Sequence, residues 1–217
     1  MAKRLTRWAL ASAILTAGII GIAGHWTDPW LWGYALVWWC TSFYGMRSLD
    51  DDLARERFNP PEPGADRMPL RAVRLAALAQ LLLGPLDLRF GLAPPVATPL
   101  RAIGLAGMAF GFFLVFRSMR ENYFFSAVVR IQTERGHHVV SSGPYSVIRH
   151  PGYAGMIAGV PLGALAIGSW IGFGVALLYS GLILRRVIFE DGFLRRSLEG
   201  YDAYVQRVRY RLMPGVW

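Results

Sequence analysis

The sequence predicts an all-α integral membrane protein with about six transmembrane helices and a C-terminal amphipathic helix. Of the 217 residues, 54% are hydrophobic and only 17% are charged, and the apolar residues lie in long blocks. The net charge of +9 would suggest nucleic-acid binding in a soluble protein. Here the basic residues lie in the gaps between apolar blocks, as in the loops of membrane proteins, so no nucleic-acid partner is expected.

The first four apolar blocks cover residues 8–24, 30–46, 70–86 and 100–116. Each is close to the roughly 20 residues that span a bilayer. Residues 152–189 are apolar for too long to form one span, so a hairpin of two helices with its tip at 168–170 is expected. After residue 190, apolar side chains recur at helical spacing, which predicts an amphipathic helix on the membrane surface. These are Leu194, Leu198, Tyr201, Val205 and Val208.

The distribution of Lys and Arg predicts the orientation of these helices. Six spans put both termini on one side, and 21 of the 23 basic residues then lie on that side. Only Arg89 and Arg101 lie on the other. This bias predicts cytoplasmic termini, in the plasma membrane if the source is bacterial. The basic start of the chain resembles a signal peptide, but we interpret it as a retained first helix.

The polar stretch 47–69 contains three adjacent aspartates, Asp50, Asp51 and Asp52. No second acidic cluster follows at ligand spacing, so a solvated loop is favoured over a metal site, and no metal is predicted. Cys40 is the only cysteine, which excludes a disulfide within the chain. Gly104, Gly107 and Gly111 follow no strand, so they indicate helix packing and not a nucleotide-binding loop.

The most informative stretch is 141–155, with the sequence S-S-G-P-Y-S-V-I-R-H-P-G-Y-A-G. Proline suits the first turn of a helix, so a helix is expected to begin at Pro151. Arg149 and His150 would then stand at its N-terminus, where the helix dipole favours anions, and this predicts an anion seat. Small residues follow at spacing four, at 155, 159 and 163, and allow a helix or a ligand to approach closely.

The predicted hairpin brings the start of its first helix beside the end of its second. Arg149, His150 and Tyr153 should therefore lie near Arg186 and Glu190. Arg186 and Glu190 are four residues apart and share a helix face, so a simple pair between them is the alternative interpretation. The sequence has no nucleophile elbow and no HExxH motif, and four histidines are too few for a di-iron membrane oxygenase. A pocket of cations, an acid and aromatic rings suits a charged cofactor that meets a lipophilic substrate.

The segment G-P-Y-S-V-I-R-H-P-G-Y-A-G resembles the signature of the isoprenylcysteine carboxyl methyltransferase family and the related phospholipid methyltransferases. Residues 128–140 and 189–217 are similar to the flanks of that signature, so the resemblance covers residues 122–217. Membrane sterol and steroid reductases carry a similar R-H-P-x-Y motif. The family's second acid is often Glu, and Asp191 stands there in this chain. The spacing from Gln132 to His137 also differs from that of the eukaryotic enzymes.

The resemblance implies a membrane methyltransferase that uses S-adenosylmethionine. Because no internal repeat or low-complexity region is evident, one domain is expected, with N-terminal helices in 1–116 and a cofactor-binding catalytic core in 117–217. The expected partners are a lipophilic small molecule or lipid as substrate, and membrane lipids. The catalytic positions would be Arg149, Arg186 and Glu190, with Arg186 associated with the substrate. The cofactor would be held by Gln132, His137, His138, Val139, Val140, Tyr145, His150, Pro151, Gly152, Tyr153 and Glu190.

The residue chemistry is compatible with this cofactor. Its carboxylate suits the anion seat, Glu190 suits its ammonium or its ribose hydroxyls, and the rings of Tyr145 and Tyr153 suit its sulfonium or adenine. Methyl transfer is an in-line displacement that depends largely on alignment. A carboxylate acceptor, favoured by Arg186, needs no base, whereas a thiol or an amine would use His150 or Glu190. A nicotinamide-dependent reductase, a phospholipid N-methyltransferase and a non-catalytic scaffold remain alternatives.

Overall fold

The computed structural model describes residues 2–49, 51–58, 60 and 64–217, and this part of the chain contains helices and no strand. Six helices are long: α1 (Ala2–Ala23), α2 (Pro29–Ser48), α4 (Arg67–Phe90), α5 (Thr98–Glu121), α6 (Pro151–Ile167) and α7 (Trp170–Ser197). Two are short: α3 (Asp51–Phe58) and α8 (Tyr201–Arg207). Short 3₁₀ turns at Thr133–Arg135 and Gly143–Ser146 interrupt the connection between α5 and α6.

The six apolar blocks correspond to the six long helices, and the membrane helix bundle is confirmed. Helices α1, α5 and α7 are long and apolar enough to cross a membrane, and α6 is apolar but shorter, at 17 residues. Several helices continue beyond the predicted blocks into charged residues, as α7 does to Ser197. The hairpin tip is also as predicted, because α6 ends at Ile167 and Ser169 caps α7 by accepting a 2.8 Å hydrogen bond from the Gly172 N–H.

Helix α3 lies where the sequence favoured a solvated loop. Asp51 and Asp52 occupy its first turn, and Arg55 and Arg57 its last, which complements the helix dipole at both ends. The prediction of a loop was therefore wrong for residues 51–58. Asp50 lies outside the described residues. Within the described part of the chain, no group of three His, Cys, Asp or Glu side chains could hold a metal ion.

The glycines of α5 allow α6 to pack directly against its backbone. A Cβ atom at Gly111 would lie 2.6 Å from the Cα of Gly159, and one at Gly104 would lie 2.6 Å from the carbonyl oxygen of Leu162. No side chain fits in either place. The prediction of helix packing is confirmed, and it holds for both small-residue series.

Arg89 and Arg101 make their contacts at the same end of the bundle. Arg101 donates to Asp28 at 2.9 Å and to the Ile167 carbonyl at 2.9 Å, and Arg89 donates to the Ile22 carbonyl at 3.3 Å. The two arginines expected opposite all the others thus share one end of the bundle.

The C-terminal segment differs in part from the prediction. Helix α8 has only seven residues, and its apolar side packs on protein and not outward. Leu198, Tyr201, Tyr204 and Val208 form a buried cluster against Ile131 and Val139. The amphipathic pattern is present, but it covers the loop that precedes the 141–155 motif.

Candidate functional site

Tyr153 connects the start of α6 to the end of α7. Its hydroxyl donates a 2.6 Å hydrogen bond to Glu190 Oε2 and accepts a 2.8 Å hydrogen bond from Arg186 Nε. The predicted convergence of Tyr153, Arg186 and Glu190 is confirmed. The salt bridges of the described residues include no direct pair between Arg186 and Glu190, because the tyrosine hydroxyl lies between them.

Arg186 is held on all three guanidinium nitrogens. Besides the bond to Tyr153, Nη2 donates to the Ala127 carbonyl at 2.7 Å, and Nη1 lies 2.7 Å from Asp66 Oδ2. The side chain is only 4% exposed. Arg186 therefore fixes α7 to the start of α4 and to the loop after α5, and its position is set before any substrate binds.

Arg149 is not the open anion seat that the sequence predicts. Its Nε and Nη2 donate to the two carboxylate oxygens of Asp191, at 2.8 and 3.2 Å. Its Nη1 donates to the carbonyls of Val208 and Arg209 at 2.8 and 2.7 Å. This expectation was wrong because an internal carboxylate, far along the chain, already occupies the guanidinium.

Asp191 is the common partner of several polar side chains beside the cavity, in addition to Arg149. It accepts a 3.1 Å hydrogen bond from the Tyr201 hydroxyl and a 3.0 Å bond from Arg211 Nε, and His150 Nε2 lies 3.2 Å away. Two backbone hydrogen bonds of 2.9 Å, from the N–H groups of Arg149 and His150, reach the carbonyls of residues 210 and 211. The C-terminal segment therefore holds the motif in place.

These elements enclose a cavity of about 360 Å³, within the range of roughly 300–1,000 Å³ that is usual for small-molecule sites. Eleven of the predicted site residues line it: His137, His138, Val139, Val140, Tyr145, Arg149, His150, Gly152, Tyr153, Arg186 and Glu190. Two do not, Gln132 and Pro151. Pro151 is the buried first residue of α6, as predicted from its position in the motif.

Gln132 shapes the loop and does not line the cavity. It is fully buried, its Nε2 donates to the Phe124 carbonyl at 2.8 Å, and its Oε1 accepts from Arg135. The expectation that Gln132 contacts a cofactor therefore needs correction. Its effect on the site is indirect, since its backbone N–H donates to His137 Nδ1 at 3.2 Å.

His137 presents a neutral aromatic ring to the cavity. Because Nδ1 accepts the hydrogen bond from Gln132, the ring proton lies on Nε2. The pKa of His137 is lowered to about 4, mainly by burial and to a smaller extent by the nearby His138 and Arg130. The ring stacks on Phe124 with centroids 4.3 Å apart. Together the two rings form an aromatic wall suited to a planar group.

Tyr145 is also held neutral at the cavity wall. Burial raises the pKa of its hydroxyl, which lies 3.4 Å from Asn122 Nδ2. Its backbone carbonyl accepts a 2.6 Å hydrogen bond from the Tyr204 hydroxyl, so α8 braces the 3₁₀ turn of the motif.

The first polar stretch contributes to the site, which its sequence did not predict. Arg130 forms a buried ion pair with Glu56 of α3, with Nη2 and Oε2 2.7 Å apart, and the Ser126 hydroxyl donates to Glu56 at 2.6 Å. These contacts hold α3 over the loop after α5, so that Arg57 lines the cavity, as does Arg74 of α4. The alternation of Glu and Arg at 55–57 could have indicated these contacts, but the stretch was predicted to be a loop.

A comparison with protein families agrees with the motif. The model of the phospholipid methyltransferase family matches residues 100–199, which cover almost all of α5, the motif loop, α6 and α7. The match confirms the resemblance over this segment and indicates a membrane methyltransferase. No curated protein matched the chain.

Proposed function

We propose that this protein transfers a methyl group from S-adenosylmethionine to a lipophilic acceptor at the membrane. The observation that carries the proposal is the cavity, which is lined by Glu190, by the aromatic wall and by the start of α6, all within the segment that matches the family. The proposal includes a cytoplasmic cavity and cytoplasmic termini, which rest on the distribution of Lys and Arg.

The chemistry of the lining residues suits this cofactor. Glu190 carries a carboxylate that is hydrogen-bonded by Tyr153, and it can bind an ammonium group or ribose hydroxyls. Phe124 and His137 offer stacked rings for adenine. The start of α6 offers backbone N–H groups at Gly152, which lines the cavity, and these suit a carboxylate.

The cofactor would supply an electrophilic methyl group, and the protein would supply alignment and exclusion of water. Arg186 holds Tyr153, and Tyr153 holds Glu190, so the acid side of the cavity is preorganised. Arg149 acts on the reaction through Asp191 and the backbone of the motif, as a positioning residue. Arg186 likewise positions Tyr153 and lines the cavity.

A carboxylate is the acceptor group that we favour. It is already ionised at neutral pH, so no residue has to remove a proton. The cavity is also rich in arginine, which favours an anionic acceptor. An amine acceptor would need a base, and Glu190 would serve, because His150 Nε2 is directed at Asp191.

Phospholipid N-methylation is the second candidate, and the description of the matching family favours it. Radiolabelled S-adenosylmethionine incubated with the purified protein and lipid extract separates the two. Base-labile label indicates a methyl ester, and base-stable label in phospholipid indicates an N-methylated headgroup.

Calorimetry with S-adenosylhomocysteine tests the cofactor directly. We expect binding to the wild type, no binding of the nicotinamide dinucleotide, and at least tenfold weaker binding to Glu190→Gln, because a charge-assisted contact is lost. Glu199→Gln changes an exposed acid outside the cavity and is the matched control. Wild-type protein that binds only the dinucleotide would support a reductase and overturn the proposal.

A further inference from the structure

Two of the arginines that line the cavity have no carboxylate partner among the described residues. Five arginines line it: Arg57, Arg74, Arg130, Arg149 and Arg186. Three of them pair with buried carboxylates, namely Arg130 with Glu56, Arg149 with Asp191 and Arg186 with Asp66. For Arg57 and Arg74, no carboxylate of the described residues lies within ion-pair distance.

Arg57 is kept at the cavity although its surroundings disfavour a cation. Its guanidinium lies 5.6 Å from the centroid of the Phe125 ring. Burial lowers the pKa of Arg57, and the charges of Arg186 and Arg74 act in the same direction. The adjacent Glu56 fixes α3 through Arg130, so Arg57 cannot withdraw without breaking a buried ion pair. An anion from outside would offset this cost.

The wall beside these two arginines is apolar. Leu70 and Val73 precede Arg74 on α4 and line the cavity together with Tyr179 and Ile183 of α7, against which Val73 packs. Residues at spacing three and four share a helix face, so the cation of Arg74 stands next to an apolar path. A ligand with an anionic head and a hydrocarbon tail matches this arrangement.

We propose that Arg57 and Arg74 form a subsite for an oxyanion group on the methyl acceptor. The group is either the carboxylate of a lipophilic acid or the phosphate of a phospholipid, since both present oxygens to guanidinium. The inference rests on the proposed function, because the subsite and Glu190 line one cavity. Glu190 then receives the cationic donor, and the arginines receive the anionic acceptor.

The test measures binding without methyl transfer. The protein is kept in an uncharged, phosphate-free detergent and titrated with decyl phosphate, decanoate and decanol. We expect both anions to bind more tightly than the alcohol. Arg57→Gln and Arg74→Gln should each weaken anion binding about tenfold, with decanol unchanged, because one charge-assisted contact is lost. Binding of S-adenosylhomocysteine should not change.

Two matched controls lie on the same helices. Arg55→Gln and Arg71→Gln remove exposed arginines of α3 and α4 that do not line the cavity, and both should bind like the wild type. A tenfold loss for either anion in the cavity variants supports the subsite, and the anion with the larger loss identifies the source of the oxyanion. Equal losses of anion binding in all four variants would overturn the subsite. Equal affinity of the wild type for decanol and for the anions would also overturn it.

The two proposals can fail separately. If the wild type binds the anions but not S-adenosylhomocysteine, the cofactor assignment fails and the subsite stands. If it binds S-adenosylhomocysteine and the arginine variants leave anion binding unchanged, the subsite fails and the methyltransferase stands.

Discussion

Arg149 and Asp191 form a buried ion pair, with Nε and Oδ1 2.8 Å apart, that joins residues 42 positions apart in the chain. Their side chains are 2% and 1% exposed. The pair locks the start of α6 to the end of α7, and Arg149 also holds the C-terminal segment through the Val208 carbonyl. Assembly of the cavity therefore depends on a contact that does not face the reacting groups.

Removing one partner of this pair should destabilise the protein strongly. Asp191→Ala leaves the Arg149 guanidinium buried without a carboxylate partner, which costs about 3–5 kcal/mol. Arg149→Ala leaves Asp191 its contact with Arg211, 3.0 Å away, so it should cost less than Asp191→Ala but more than about 1 kcal/mol. Unfolding in detergent, followed by loss of helical circular dichroism, measures the change. Arg195→Ala is the control, because Arg195 is 40% exposed and only 3.4 Å from Asp191, and its loss should cost under about 1 kcal/mol. A similar small effect for Arg149→Ala would contradict the role given to the pair.

A contact of this site could be predicted from the sequence only where regular secondary structure defines the positions of both residues. The proximity of Tyr153, Arg186 and Glu190 could be predicted, because a short connection joins two regular helices and the helical repeat then gives the position of each residue. Arg149 was misassigned, since its adjacent residues indicate an anion seat and its actual partner is Asp191. Gln132 was misassigned for the same reason, because its contact with the Phe124 carbonyl depends on an irregular loop.

Helix α3 shows a different limit. Eight residues bury few apolar side chains, so the helix has little periodic signal of its own. Its stability comes from tertiary contacts, mainly Glu56 with Arg130. Such contacts are set by the whole fold, which explains why the stretch was predicted to be a loop.

The close approach of α5 and α6 predicts a sharp sensitivity to added volume. A Cβ atom at Gly155 would overlap the carbonyl oxygen of Gly111, so Gly155→Ala should push the helices apart. We expect a loss of about 1–3 kcal/mol in the free energy of unfolding. Thermal unfolding in detergent gives the comparison with the wild type.

Gly174→Ala is the matched control on α7. A Cβ atom at Gly174 has no neighbour within 4 Å, so the change should be neutral or should stabilise the helix by about 0.5–1 kcal/mol. Equal destabilisation by both changes would show that helix packing at Gly155 is not the cause.

His137 predicts a pH dependence of stability. Its pKa is lowered from 6.5 to about 4 in the folded protein. In the unfolded chain the ring gains a proton as the pH falls through 6.5, while the folded protein keeps it neutral. Stability should therefore fall between pH 6.5 and 4. Between pH 7 and pH 5 we expect the free energy of unfolding to fall by about 1 kcal/mol. This is less than the full pKa difference would give, because the ring is partly exposed.

His137→Gln should remove this part of the pH dependence. Unfolding curves at pH 7 and pH 5 are compared for both proteins, above the range in which Glu56 and Glu134 would gain protons. His25→Gln is compared in the same way, because it changes a histidine at the other end of the bundle, whose ring lies 3.3 Å from the Leu88 carbonyl. An unchanged slope in His137→Gln would refute the assignment.

Tyr153 gives the sharpest test of the preorganised acid. Tyr153→Phe keeps the ring but removes the donor to Glu190 and the acceptor for Arg186. Because hydrogen bonds to charged groups contribute about 1.5–3 kcal/mol, S-adenosylhomocysteine should bind at least about tenfold more weakly. Tyr179→Phe is the control, since Tyr179 lines the same cavity and its hydroxyl makes no hydrogen bond among the described residues. The proposal requires normal affinity in Tyr179→Phe, and equal affinity in both variants would mean that Tyr153 does not position Glu190 for the cofactor.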